Sequence, residues 1–170
     1  GTTGWYHELD RMKQLSESQH TSMLCATSFS IGVHIFWETN KVLAKLMYKI
    51  KGYDVKITET HHVHKKDAPS GTAITTAEVI MQEQPMKKSW VLKEGDRVPD
   101  ESELMIEALR EGEAKGTHVV TYTSAVDFIE LKHEAFNRNG FASGAVLAAE
   151  FLIDKKGVFT MQDVIENILK

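Results

Sequence analysis

Residues 53–84 read as a strand, a short polar loop and a helix, and this stretch narrows the available folds more than any other. Tyr53, Val55 and Ile57 alternate with Asp54, Lys56 and Thr58, the period-two pattern of a half-buried strand. Residues 72–84 contain no breaker, and Ala73, Ala77, Ile80 and Met81 share one helical face. Between them lies ETHHVHKKDAPSGTA, with three histidines, two lysines and an aspartate in the seven positions 61–67. That cluster is expected in a loop at a strand end, feeding a helix N-terminus. Loops held by rigid elements are where chemistry is usually placed.

Each part of the loop has a physical use. Ser70 suits an N-cap, and Gly71 lets a ligand approach the backbone closely. The amides of Gly71, Thr72 and Ala73 would then be free donors at the positive end of a helix dipole, a ready anion site. His61 and His62 can hold or pass protons near neutral pH, and Lys65 can supply a positive charge or a proton. Such a convergence suits a small substrate carrying carboxylates or phosphates. The plain alternative is a solvated polar loop before a capped helix. A metal-dependent hydrolase is a further alternative. Adjacent strand residues face opposite ways, so His61 and His62 share an ion poorly, which leaves His61, His64 and Asp67 as the ligand set.

Composition matters mainly for what it excludes. At 170 residues, 42% hydrophobic and 26% charged, the chain can build one good core and a small second lobe. A formal charge of -4 and the lack of a basic run argue against a nucleic-acid partner. No stretch approaches the roughly 18 apolar residues of a membrane span. The lone Cys25 fits a reducing compartment, and the cytoplasm is expected.

Residues 5–19 are helical in pattern, 22–27 form a short apolar run, and 30–49 carry the longest helical pattern. Strand–helix–strand order near the start suggests part of a parallel sheet, whose ligands bind at strand carboxyl ends. Gly1–Gly4 and residues 26–29 would lie at such ends. Further strands are expected at 89–92, 104–110, 117–123 and 128–133, then an alanine-rich helix at 140–153 and a short one at 161–169. The expected class is α/β, with an α+β substrate domain built on a mixed sheet of about four strands. The helix at 72–84 would cover one sheet face, leaving the other to meet a second copy.

The string HHxxKxDAPSGTA, carried by His61, His62, Lys65 and Asp67 to Ala73, closely resembles the central motif of the 4-hydroxy-tetrahydrodipicolinate (dihydrodipicolinate) reductases of lysine biosynthesis. The resemblance implies that His61 is an acid/base group, that Lys65 donates a proton, and that His62, Gly71 and Thr72 hold the substrate's carboxylates. GTTGW at the start and Phe29-Ser30-Ile31-Gly32-Val33 resemble the segments lining the nicotinamide end of NADPH or NADH. Contacts to that cofactor are thereby implied for Gly1, Thr2, Thr3, Ala26, Thr27, Ser28 and Phe29. Ser28 and His34 depart from the family, standing where it has asparagine. Arg110 with Gly112, Gly116 with His118, His133 with Ala135, and Arg138 with Phe141 to Ala145 resemble later family elements.

The resemblance implies a homotetramer joined through its sheets and three segments. Residues 1–30 would be a remnant of a Rossmann-type dinucleotide-binding domain, 31–137 a substrate-binding and oligomerisation domain, and 138–170 returning helices. The glycine-rich turn that seats a pyrophosphate is absent from this sequence and lies upstream in the family. A carboxyl-terminal piece is therefore expected, able to bind substrate but a poor binder of cofactor. A non-catalytic oligomerisation domain is the remaining alternative.

Overall fold

The computed structural model describes residues Trp5–Ile168. A 3-10 turn at Tyr6–Glu8 leads into α1 (Leu9–Ser18), β1 (Ser22–Leu24), α2 (Ile31–Lys49), β2 (Asp54–His61) and α3 (Gly71–Glu83). There follow β3 (Ser89–Leu92), β4 (Glu103–Arg110), β5 (Thr117–Thr123), β6 (Phe128–Glu134), α4 (Asn139–Phe151), β7 (Gly157–Phe159) and α5 (Met161–Ile168). The chain divides into two compact units. One joins residues up to Ile31 with those from Phe141 onward, and the other is Gly32–Gly140. Among the described residues no helix is long and apolar enough to cross a membrane.

The larger unit is built on a five-stranded sheet in the order β3-β4-β2-β5-β6. β2 pairs parallel with β4 on one side and antiparallel with β5 on the other. The expected sheet of about four strands gains its fifth because β3 pairs parallel with β4. Alternation decides which face is buried. Val55 and Ile57 of β2, Leu104 and Ile106 of β4, and Val120 and Tyr122 of β5 form the core with Val33, Phe36, Trp37, Ala44 and Met47 of α2. Ala73, Ala77 and Ile80 of α3 complete it, the helical face expected from their spacing.

Buried polar side chains tie the two helices to each other and to the sheet. Trp37 Nε1 donates to Thr76 Oγ1 at 2.9 Å, Gln84 Nε2 to the Ala44 carbonyl at 3.1 Å, and Tyr122 Oη to Asn40 Oδ1 at 3.0 Å. The opposite sheet face, with Lys56, Thr58, Glu107, Thr121 and Lys132, faces away from both helices. β6 is largely exposed, with Phe128 at 65%.

In the smaller unit β1 and β7 pair parallel, Ser22 opposite Gly157 and Leu24 opposite Phe159. Ala148, Met161 and Val164 form its core with Leu24, Ala26, Phe29, Ile31 and Phe151. Gly144 of α4 sits directly against the Phe29 backbone: a Cβ there would lie 1.7 Å from the Phe29 carbonyl oxygen.

Candidate functional site

The alternation of β2 runs past residue 58, so Glu59 and His61 continue the row of Val55 and Ile57 on the helix-covered face. His61 therefore belongs to the strand and not to the loop in which the sequence pattern had put it. Glu59 is fully buried. Its neighbours across the sheet are Ala108 on β4 and His118 on β5, and His118 in turn pairs with His133 on β6.

A carboxylate in such a place is stable only if charge and hydrogen bonds reach it. Oε1 accepts from the Ser70 amide and from Arg110 Nη2, each at 3.2 Å. Oε2 lies 2.5 Å from His61 Nδ1. Both atoms of this second contact are buried, and the ring N–H is not well aligned with the oxygen, so it is an ion pair by distance and not a well-directed hydrogen bond. Burial alone would push the Glu59 carboxyl up, but His61, the Ser70 side chain and Arg110 outweigh it and hold it down to about 2.

Ser70 caps α3 as its residue type suggested, its hydroxyl accepting from the Ala73 amide at 3.2 Å. The Ala73 amide is thereby used, which removes it from the expected anion site. The Ile74 amide reaches the Ser70 carbonyl at 3.0 Å. Gly71 and Thr72 remain as first-turn donors, since no carbonyl lies one turn behind them. The Ser70 hydroxyl also meets His118 Nε2 at 3.1 Å. Burial, reinforced by repulsion from His61, pushes His118 down to about 3, so this imidazole is neutral.

Arg110 staples the loop to this centre. Its Nη2 donates to the Asp67 carbonyl at 2.7 Å and its Nε to the Lys65 carbonyl at 3.3 Å. Lys65 Nζ holds Asp67 Oδ2 at 2.7 Å, and this bond depresses the Asp67 carboxyl. The loop after β2 also pairs with the loop after β4, through Glu111 N to His61 O at 2.8 Å and Val63 N to Gly112 O at 3.2 Å. Desolvation of the His62 ring pushes its imidazole below the ordinary value. Glu113 opposes this, and His64 and Arg138 add to it.

The sequence-derived residues therefore fall into three groups. His61 and Lys65 belong to one network through Glu59, Ser70 and Arg110, and the open amides of Gly71 and Thr72 follow Ser70 directly in the first turn of α3. His62 follows directly at the strand end, its carbonyl accepting from the Lys65 amide at 3.1 Å. Ala26, Thr27, Ser28 and Phe29 follow β1 in the smaller unit. Ser28 is buried there, and its Oγ accepts from the Ser30 amide at 3.3 Å. Gly1, Thr2 and Thr3 lie outside the described residues.

The metal set expected from spacing, His61 with His64 and Asp67, does not assemble. His64 is exposed beside Glu113 and Asp67 is held by Lys65. Among the described residues the grouping with ligand-like spacing is Glu59, His61 and His118, all within 4.8 Å. The Arg110 guanidinium already occupies the charge of that carboxylate. A cleft of about 970 Å³ lies at the other end of the sheet, beside Asp54, Gln84 and Lys87, and none of the histidine cluster lines it.

Spacing did not reveal Glu59, His118 or the bonds of Arg110. One signal was present: a glutamate in phase with Val55 and Ile57 is a charge on an apolar face, and such a charge requires partners.

A buried carboxylate–histidine pair, a lysine loop and a capped helix N-terminus, all at the carboxyl end of β2, are the groups expected in the class of proteins that bind a small anionic molecule and move a proton on it. Comparison with known families narrows that class. Residues 32–165 match the family described as dihydrodipicolinate reductase, C-terminus. A 4-hydroxy-tetrahydrodipicolinate reductase of Christiangramia forsetii is 45% identical over 170 residues, covering 100% of this chain and 70% of that protein. Its counterpart in Archaeoglobus fulgidus is 38% identical over 172 residues, 98% of this chain and 65% of that protein. Among solved structures, a dipicolinate-bound dihydrodipicolinate reductase from Paenisporosarcina sp. TG-14 has the same fold. It superposes with a TM-score of 0.68 at 23% identity, over 94% of this chain and 61% of that one. The chain belongs to the dihydrodipicolinate reductase family, and it spans about two thirds of the length of these relatives.

Proposed function

We propose that this chain carries the substrate site of an NAD(P)H-dependent reductase acting on 4-hydroxy-tetrahydrodipicolinate in lysine and diaminopimelate biosynthesis, in the cytoplasm. The observation that carries the reading is the single network joining His61, Lys65 and the N-terminus of α3. The substrate is a cyclic dicarboxylate. The Gly71 and Thr72 amides would receive one carboxylate at the helix terminus, and His62, kept neutral by desolvation, would offer it an N–H. Lys65, released from Asp67 as the substrate enters, would deliver a proton, and His61 would hold or return one.

NADPH or NADH supplies the hydride when bound. Residues 26–29 suit the edge of its site, because they leave the carboxyl end of a parallel strand. The closeness of Gly144 to the Phe29 carbonyl keeps that turn against α4. A homotetramer joined through the sheets fits the one-sided covering of the five-stranded sheet, whose far face and β6 edge leave Phe128 exposed.

Calorimetric titration with pyridine-2,6-dicarboxylate, a planar mimic of the substrate, tests the reading. We expect saturable binding to one site per chain, weakened at least tenfold in His62→Ala. Absence of binding by the folded wild-type chain would overturn the assignment.

A further inference from the structure

We infer that Glu59 is a positioning residue for His61, holding the proton of the neutral imidazole on Nδ1 and leaving Nε2 as the atom that takes up and returns a proton. This rests on the reading of His61 as the acid/base group.

The geometry leaves little choice. Glu59 Oε2 and His61 Nδ1 are 2.5 Å apart, both buried, and neither has another partner among the described residues. Two lone pairs at that separation repel, so one of the two atoms carries a proton and the attraction acts through charge, although the ring N–H is not well aligned with the oxygen. The carboxylate is the stronger acid of the two, so the proton belongs to the ring. Nε2 is the ring nitrogen that is not sealed from solvent. It faces Gly116, where an added Cβ would stand 3.2 Å away, so the glycine keeps that edge of the ring clear.

When Nε2 accepts a proton, the imidazolium forms already paired to Glu59 and requires no rearrangement. The other groups facing the pair do not supply this. Arg110 on β4 and Lys65 in the loop are cations, and the His118 ring on β5, 5.2 Å away and edge-on, is neutral, with His133 beyond it on β6.

The other carboxylate oxygen makes the test sharp. Oε1 receives two donors, the Ser70 amide and Arg110 Nη2. In Glu59→Gln the amide oxygen must take that place, because an NH2 group there would face two donors. The NH2 group is then turned toward His61 Nδ1, which can only accept. The proton moves to Nε2, and the tautomer inverts.

Long-range proton–nitrogen NMR of the histidine rings reads this directly, at a pH where His61 is neutral. We expect Nδ1–H in the wild-type chain and Nε2–H in Glu59→Gln, with protection of the α3 amides reporting that the variant is folded. A neutral wild-type ring protonated on Nε2 overturns the inference, whether or not the variant folds. A folded variant that keeps Nδ1–H overturns it as well. The dicarboxylate titration is an independent measurement: its failure beside the expected tautomers would sink the reductase reading and leave the Glu59–His61 assignment standing.

Discussion

The Ser70 hydroxyl performs two tasks that substitution can separate. It accepts from the Ala73 amide at 3.2 Å as the α3 cap, and it meets His118 Nε2 at 3.1 Å inside the sheet–helix core. Ser70→Ala removes both while sparing the backbone bond from Ser70 N to Glu59. Losing a capping side chain to alanine costs about 1 kcal/mol, and leaving a buried polar atom unsatisfied costs about 1–3 kcal/mol. Both losses come from one oxygen, so the expected total is about 2–3 kcal/mol. Glycine is nearly as good a cap as serine, within a few tenths of a kcal/mol. Ser70→Gly should therefore retain most of the cap and lose chiefly the His118 contact, costing about 1–2 kcal/mol. Equilibrium urea unfolding measures both, followed through Trp37, which is buried in the same unit. With slopes of about 1–3 kcal/mol per molar urea, Ser70→Ala should lower the midpoint by roughly 1 M. The same variant should weaken dicarboxylate binding, since the Gly71 and Thr72 amides are aimed by this cap. A Ser70→Ala midpoint equal to wild type, or a glycine variant less stable than the alanine one, would refute the reasoning.

Two further outcomes are expected. Glu59 is held at about 2 against an ordinary 4.5, so its ionised form favours the folded chain by an amount on the order of 3 kcal/mol. Because the folded value is depressed, that stabilisation is complete above 4.5 and disappears as the pH falls to about 2. A carboxyl-carbon NMR titration of Glu59 with its midpoint near 4.5 would contradict the pairing. Gly144→Ala places a methyl 1.7 Å from the Phe29 carbonyl oxygen, a backbone atom that cannot swing aside. The smaller unit should lose about 1–3 kcal/mol or more, seen as faster hydrogen exchange in α4 and α5, and unchanged exchange there would refute it.

The elements were legible because their residues repeat: the alternation at 53–58, the four-residue rhythm of α3, and Ser70 before Gly71. The motif also placed His61, Lys65 and the helix start in one neighbourhood. What escaped was register. That Glu59 lies beside His118 depends on how β2 slides against β5, which partners separated by 59 positions do not announce. Arg110 escaped for the same reason: opposite His61 on β4, it reaches back across the sheet to Glu59 and the loop. The cost to the anion site was one amide, since a cap that forms the helix terminus also consumes a donor from it.

The sheet order has a consequence for the order of synthesis. β2 lies at the middle of the sheet, yet both strands that flank it come later in the chain. When Glu59 leaves the ribosome, only the Ser70 amide among its stabilising partners beyond β2 follows closely. The arginine that neutralises it and the histidine that meets the Ser70 hydroxyl arrive 51 and 59 residues afterward. Chains broken off before residue 118 carry the complete histidine–lysine motif but lack the strand that flanks Glu59 on its β5 side. The motif is encoded early, and its buried carboxylate is enclosed late, when β5 pairs with β2.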